Sequence, residues 1–145
     1  MKRIASLLMT FFIVLGALTL LPTDSRAESL YIRKIVSVVY DDSGSMTGDK
    51  WAYANYAMQT FCGMLNSEDQ LYITYMSKAA NVAGYSPEKI DLSSNGIQAS
   101  VDSIRNHTYS SITPLAAVDL AFKKLKSVDD SNPNTQYWLV VITDG

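Results

Sequence analysis

Two short runs rich in β-branched and aromatic residues each end abruptly in an acidic loop, and this constrains the fold more than any other feature. Tyr31 to Tyr40 (YIRKIVSVVY) closes in a nearly continuous apolar stretch and meets Asp41-Asp42-Ser43-Gly44-Ser45. Gln136 to Thr143 (QYWLVVIT) meets Asp144-Gly145. Strands that lack polar alternation are covered on both faces, as in a parallel sheet between helical layers. Helical spacing fills the chain between them. Trp51, Ala54, Ala57, Met58, Phe61 and Leu65 recur at three- and four-residue steps, with Asp49 as the expected N-cap. Gln70 to Ser77 reads as another strand. Val82 to Tyr85 reads as a short edge strand before the Ser86-Pro87 turn, in a segment (79–92) that carries no clear periodicity. Ile97, Val101 and Ile104 mark a helix capped by Ser94 or Asn95. Pro114 suits a first helical position, and Leu115, Val118, Ala121, Phe122 and Leu125 continue that helix. Lys123, Lys124 and Lys126 lie toward its C-terminal end, where a solvated basic face suits the helix dipole.

This alternation predicts an α/β architecture with a mainly parallel sheet and helices on both faces. In such sheets ligands bind beyond the carboxyl ends of the strands, where the strand order reverses. Both acidic loops fall at such ends.

The N-terminus reads differently. Lys2 and Arg3 precede Ile4 to Leu21, an apolar-leaning run without a charged side chain. Pro22 closes the run, and Ser25-Arg26-Ala27 supplies small residues at the positions a signal peptidase needs. We therefore expect residues 1–27 to be a signal peptide and residues 28–145 to form the domain. An uncleaved membrane anchor is the alternative, because the run is just long enough to span a bilayer. Either reading is extracytoplasmic. Loss of Lys2, Arg3, Asp24 and Arg26 takes the net charge from −2 to −4, an acidic balance that argues against nucleic acid. Cys62 is the single cysteine, so no intramolecular disulfide forms, and its place in an apolar helical pattern reads as packing.

Asp41, Ser43 and Ser45 alternate, so a looped backbone can turn all three toward one point. Thr113 precedes a helix and Asp144 ends a strand. These donors are all oxygen, which suits a hard cation such as Mg2+ and disfavours zinc.

Here the sequence resembles the von Willebrand factor A (vWA) domains. VVYDDSGSM is similar to the Asp-x-Ser-x-Ser element of their metal-ion-dependent adhesion site, SITPLAAVDLA to their threonine element, and VVITDG to their final aspartate turn. The resemblance spans about Lys34 to Gly145. It implies a Rossmann-like three-layer fold and a site for Mg2+ (or Mn2+/Ca2+) built from Asp41, Ser43, Ser45, Thr113 and Asp144. It also implies a protein partner that presents Asp or Glu to the bound metal. Two departures accompany it. Asp42 stands where the family commonly has an apolar residue; it is expected either to turn into solvent or cap the loop, or to add negative potential near the metal. The family sheet has six strands in the order 3-2-1-4-5-6, whereas this chain stops after the fourth. We therefore expect an N-terminal fragment of a longer bacterial exported protein, with its last strand an exposed apolar edge.

Enzyme readings fail on residues. A Ser-His-Asp hydrolase would need His107, the only histidine, which reads as a surface residue at a helix end; no G-x-S-x-G elbow surrounds Ser43 or Ser45. GSMTGDK lacks the spacing and ending of a phosphate loop. A dehalogenase-type phosphatase would need an aspartate where Ser43 stands. Among the tyrosines, Tyr31, Tyr53, Tyr56 and Tyr109 are candidates for a binding rim, with Tyr109 the one nearest Thr113; the others read as half-buried packing. Two expectations remain: a secreted or cell-surface adhesion module that binds its partner through the metal, or an accessory or sensor domain of an exported or membrane complex with a structural metal.

Overall fold

Strand β1 (Lys34–Tyr40) lies in the middle of a four-stranded sheet, and every residue from Ile35 to Tyr40 is buried. The computed structural model describes residues 31–108 and 115–144. The apolar N-terminal run, Tyr109, Thr113, Pro114 and Gly145 lie outside them. Among the described residues no helix is long and apolar enough to cross a membrane.

The chain continues from β1 through a 3-10 turn (Gly44–Met46), helix α1 (Asp49–Met64), β2 (Gln70–Tyr75), α2 (Met76–Asn81), β3 (Glu88–Ile90), α3 (Ile97–Asn106), α4 (Ala116–Ser127) and β4 (Gln136–Ile142). The sheet order is β3-β2-β1-β4. β1 pairs in parallel with β2 and β4, while β3 runs antiparallel to β2. The protein is thus α/β with a mixed, mainly parallel sheet.

Side-chain alternation along the central strand sorts the helices onto two faces. Val36, Val38 and Tyr40, with Leu71, Ile73 and Tyr75 of β2, pack against Ala54, Met58 and Cys62 of α1 and Ile104 of α3. Val39 meets Ala117 and Ala121 of α4 and Met76 of α2, while Ile35 and Tyr72 meet Leu125. A strand with helices over both faces has no solvent side, hence its unbroken apolar run. Cys62 is fully buried in the first of these layers, as its spacing predicts, and burial pushes its thiol up from the ordinary range.

Several local expectations are corrected. Helix α1 is preceded by Gly48 at φ 66°, a conformation that favours glycine; Asp49 is the first helical residue, not the cap. Helix α3 begins after Gly96, and neither Ser94 nor Asn95 caps it. The Ser93 hydroxyl instead accepts the Gly96 N–H at 3.1 Å. The short edge strand is Glu88–Ile90, beyond Pro87, and not Val82 to Tyr85. β2 stops at Tyr75, where the six-residue α2 takes over.

β4 is one of the two edge strands among the described residues. Tyr137, Trp138, Leu139 and Val141 are each between 39% and 48% exposed, so the apolar edge expected of this strand is present.

Candidate functional site

β1 and β4 are neighbours, yet the chain leaves β1 toward β2 on its other side. The junction between β1 and β4 is therefore where strand order reverses, and their carboxyl ends open onto the crevice in which α/β sheets bind ligands. The Asp41–Ser45 loop and Asp144 both lie there.

The two ends are tied together through the backbone and through side chains. The Asp41 N–H donates to the Ile142 carbonyl at 2.9 Å, extending the β1–β4 pairing by one residue. Asp41 is 2% exposed. One carboxylate oxygen accepts the Ser43 N–H at 3.0 Å and the other the Thr143 hydroxyl at 2.7 Å. The Ser43 and Ser45 hydroxyls are 2.9 Å apart. Ser45 in turn donates to Asp144 at 3.1 Å, across 99 residues of sequence. Four of the five residues singled out in the sequence thus form one continuous hydrogen-bonded group; the fifth, Thr113, lies outside the described residues. Lys50, in the first turn of α1, donates to the second oxygen of Asp144 at 2.6 Å. Its ammonium, then the Ser45 hydroxyl, hold the Asp144 carboxyl below the ordinary carboxylate range.

All these side-chain donors are oxygens, the chemistry a hard cation requires, and an ammonium already stands against one of the two carboxylates. In that sense the residues present fit a divalent ion. No three His, Cys, Asp or Glu side chains cluster for metal binding among the described residues. A cation held here would therefore rely on hydroxyls and water beside two carboxylates.

Asp42 is neither turned to solvent nor capping its own loop. It is fully buried, and its carboxylate is engaged by partners other than those of Asp41. One oxygen accepts the Ser77 N–H at 2.8 Å. The other is shared by the Ser77 hydroxyl and His107 Nε2, the latter at 2.8 Å. Consecutive residues leaving a strand point to opposite sides: Asp41 leans to β4, Asp42 to the β2–α2 junction. Burial works against charge on Asp42, but the hydrogen bonds from His107 and Ser77 outweigh it and hold its carboxyl below the ordinary range.

His107 is likewise not the surface residue expected. It ends α3 as anticipated, but its side chain is only 16% exposed and its ring stacks on Tyr75 with centroids 3.8 Å apart. Tyr40 and Trp51 complete an aromatic group beneath the loop, their rings 5.5 Å apart and nearly parallel. Burial raises the Tyr40 and Tyr75 phenols well above their usual range. Tyr53 and Tyr56 project from α1 and are over 70% exposed, so of the candidate rim these two are available at the surface. The lysines of α4 are surface groups as read: Lys123 pairs with Asp119 at 2.6 Å, and Lys124 lies 4.5 Å over the Tyr72 ring.

His107, Ser77 and Lys50 were missed as parts of this region, and Asp42 was placed in it without its partners. Only Lys50 carried a sequence signal, a cation in the first turn of a helix, where the dipole disfavours it. No family model matches the chain, and no curated protein matches it.

Proposed function

We propose that the chain is an exported vWA-type interaction module, not an enzyme. In this reading it holds one divalent cation, Mg2+ or a substitute such as Mn2+ or Ca2+, through Asp41, Ser43, Ser45, Thr113 and Asp144. Through that cation it grips an Asp or Glu of a protein partner at the cell surface or outside the cell. The observation that carries the reading is the Ser45–Asp144 hydrogen bond at 3.1 Å. It joins the Asp-x-Ser-x-Ser loop to the end of β4 exactly where the strand order reverses. The sheet order β3-β2-β1-β4 agrees with the first four strands of the vWA pattern and supports the same assignment.

The chain's own residues have separable tasks. Asp41, buried and held by Ser43 and Thr143, supplies a carboxylate whose direction is set before any ligand arrives. Ser43 and Ser45 present neighbouring hydroxyl oxygens, and Asp144 brings the second carboxylate from the adjoining strand. Two carboxylates nearly balance a divalent charge. A bound cation would supply the Lewis-acidic centre to which an external carboxylate attaches.

Calorimetric titration of Mg2+ into the protein tests this, with Asp41→Ala and Ser45→Ala as variants. Chelator-reversible binding is expected, weakened at least about tenfold by Asp41→Ala. Cation affinity that survives Asp41→Ala overturns the assignment.

A further inference from the structure

Lys50 stands in an electrostatically awkward place. It is the second residue of α1, at the positive end of the helix dipole, where a cation is normally disfavoured. Its ammonium nevertheless donates to Asp144 at 2.6 Å, and the Asp144 side chain is only 11% exposed. The helix does not explain that position; the carboxylate does. The other Asp144 oxygen accepts from Ser45, and the Lys50 ammonium brings a positive charge into contact with the group. Lys50 also lines a groove of about 330 Å³ with Met46, Tyr53, Ala54, Ile142 and Thr143, which gives its aliphatic stem an apolar wall along which to swing. At 59% side-chain exposure it can leave Asp144 for water at little cost.

We propose that Lys50 is a built-in counter-ion that competes with the divalent cation for Asp144, so that cation uptake requires its release. The inference rests on the cation reading above and deepens it. Lys50 offsets the charge of Asp144 when no metal is held, sets the metal affinity below what the oxygen donors alone would give, and makes loading reversible. The exchange is purely ionic: one ammonium–carboxylate contact breaks, one metal–carboxylate contact forms, and no proton or electron moves.

The test is Mg2+ titration by calorimetry at fixed ionic strength on the whole chain, comparing the parent with Lys50→Met, Lys50→Arg and Lys123→Met. Lys50→Met keeps the stem and removes the charge. Lys123→Met removes a charge from the remote Lys123–Asp119 pair and so measures the net-charge effect alone. Lys50→Met is expected to tighten Mg2+ binding about fivefold, the upper end of what an exposed ion pair supplies. Lys50→Arg should stay within about twofold of the parent, as should Lys123→Met. Circular dichroism checks that each variant folds. Unchanged or weaker binding in Lys50→Met overturns the competition, as does an equal gain in Lys123→Met. If the parent takes up no Mg2+, the cation reading itself falls and this inference with it, a result distinct from binding that ignores Lys50.

Discussion

His107 Nε2 lies 2.8 Å from the buried Asp42 carboxylate, joining the end of α3 to the loop after β1 across 65 residues of sequence. An ionised carboxylate can only accept, so Nε2–H is the donor in this contact. Ser77 donates to the same carboxylate from the start of α2. One aspartate thus ties three segments together at the carboxyl end of the sheet, next to the Asp41 loop.

That arrangement fixes a pH dependence. The Asp42 carboxyl is held below its ordinary value despite burial, because His107 and Ser77 donate to its charged form. A group with a depressed folded value contributes stability that is fully present above the unfolded carboxylate range, about 3.9. The contribution is lost as pH falls through the folded value. Urea midpoints should therefore drop for the parent between neutral pH and about pH 3, and drop less for Asp42→Asn. Equal acid sensitivity in the two proteins would exclude Asp42 as a source.

Removing the other partner has a larger cost at neutral pH. His107→Ala leaves Asp42 buried with only Ser77 to offset its charge and deletes the ring stacked on Tyr75. Breaking a buried charged contact from one side costs about 3 kcal/mol. Urea unfolding of His107→Ala at pH 7 should show a loss of that order, and a loss below about 1 kcal/mol would mean the contact is not held in solution.

Asn55 makes a comparable link inside the helical layer. It is 6% exposed on α1, and its amide donates to the Ile104 carbonyl at 2.9 Å. The Ile104 carbonyl also accepts the His107 N–H at 3.2 Å, so Asn55 adds a second donor at the end of α3 from a neighbouring element. Asn55→Ala should cost about 1 kcal/mol, the net worth of one hydrogen bond, since the carbonyl keeps the His107 N–H. Asn55→Asp should cost more, since it faces the carbonyl with an acceptor. Equilibrium denaturation of both variants gives the ranking.

How much of this was legible in the sequence depended on how local the signal was. β1 announced itself because burial on both faces leaves an unbroken apolar run, β4 by its β-branched and aromatic residues although the strand is exposed and not covered as such a run implies, and α1, α3 and α4 because an apolar face recurs every turn. β3 was misplaced since three residues in Glu88–Ile90 carry no period, and α2 since it starts directly where β2 stops. Asp41, Ser43, Ser45 and Asp144 were singled out together because three of them alternate within one loop and the fourth ends a strand. The pairing of Asp42 with His107 was not foreseen, because it exists only after Tyr75 and the end of α3 meet in three dimensions. Read locally, Asp42 is a loop acid and His107 a helix-end polar residue; burial reverses both readings. Asn55 was hidden in the same way, a polar side chain on an otherwise apolar helix stripe.

The last prediction concerns β4. Pairing with β1 uses one side of this strand, and among the described residues nothing pairs with the other. Tyr137 and Leu139 rise from it beside Phe122 and Leu125 of α4, lining an apolar groove of about 470 Å³. An uncharged strand with a free row of backbone donors and acceptors is a template for pairing with another chain. The protein should therefore self-associate as its concentration rises. A charge on that strand opposes the pairing, because two edges brought together would each bury it. Leu139 is 40% exposed, so a lysine there can keep its ammonium in water without disturbing the interior. Light scattering should show association that depends on concentration in the parent and is reduced in Leu139→Lys, with unchanged circular dichroism. A parent that stays monomeric at high concentration would show that the β4 edge is protected by something other than its own side chains.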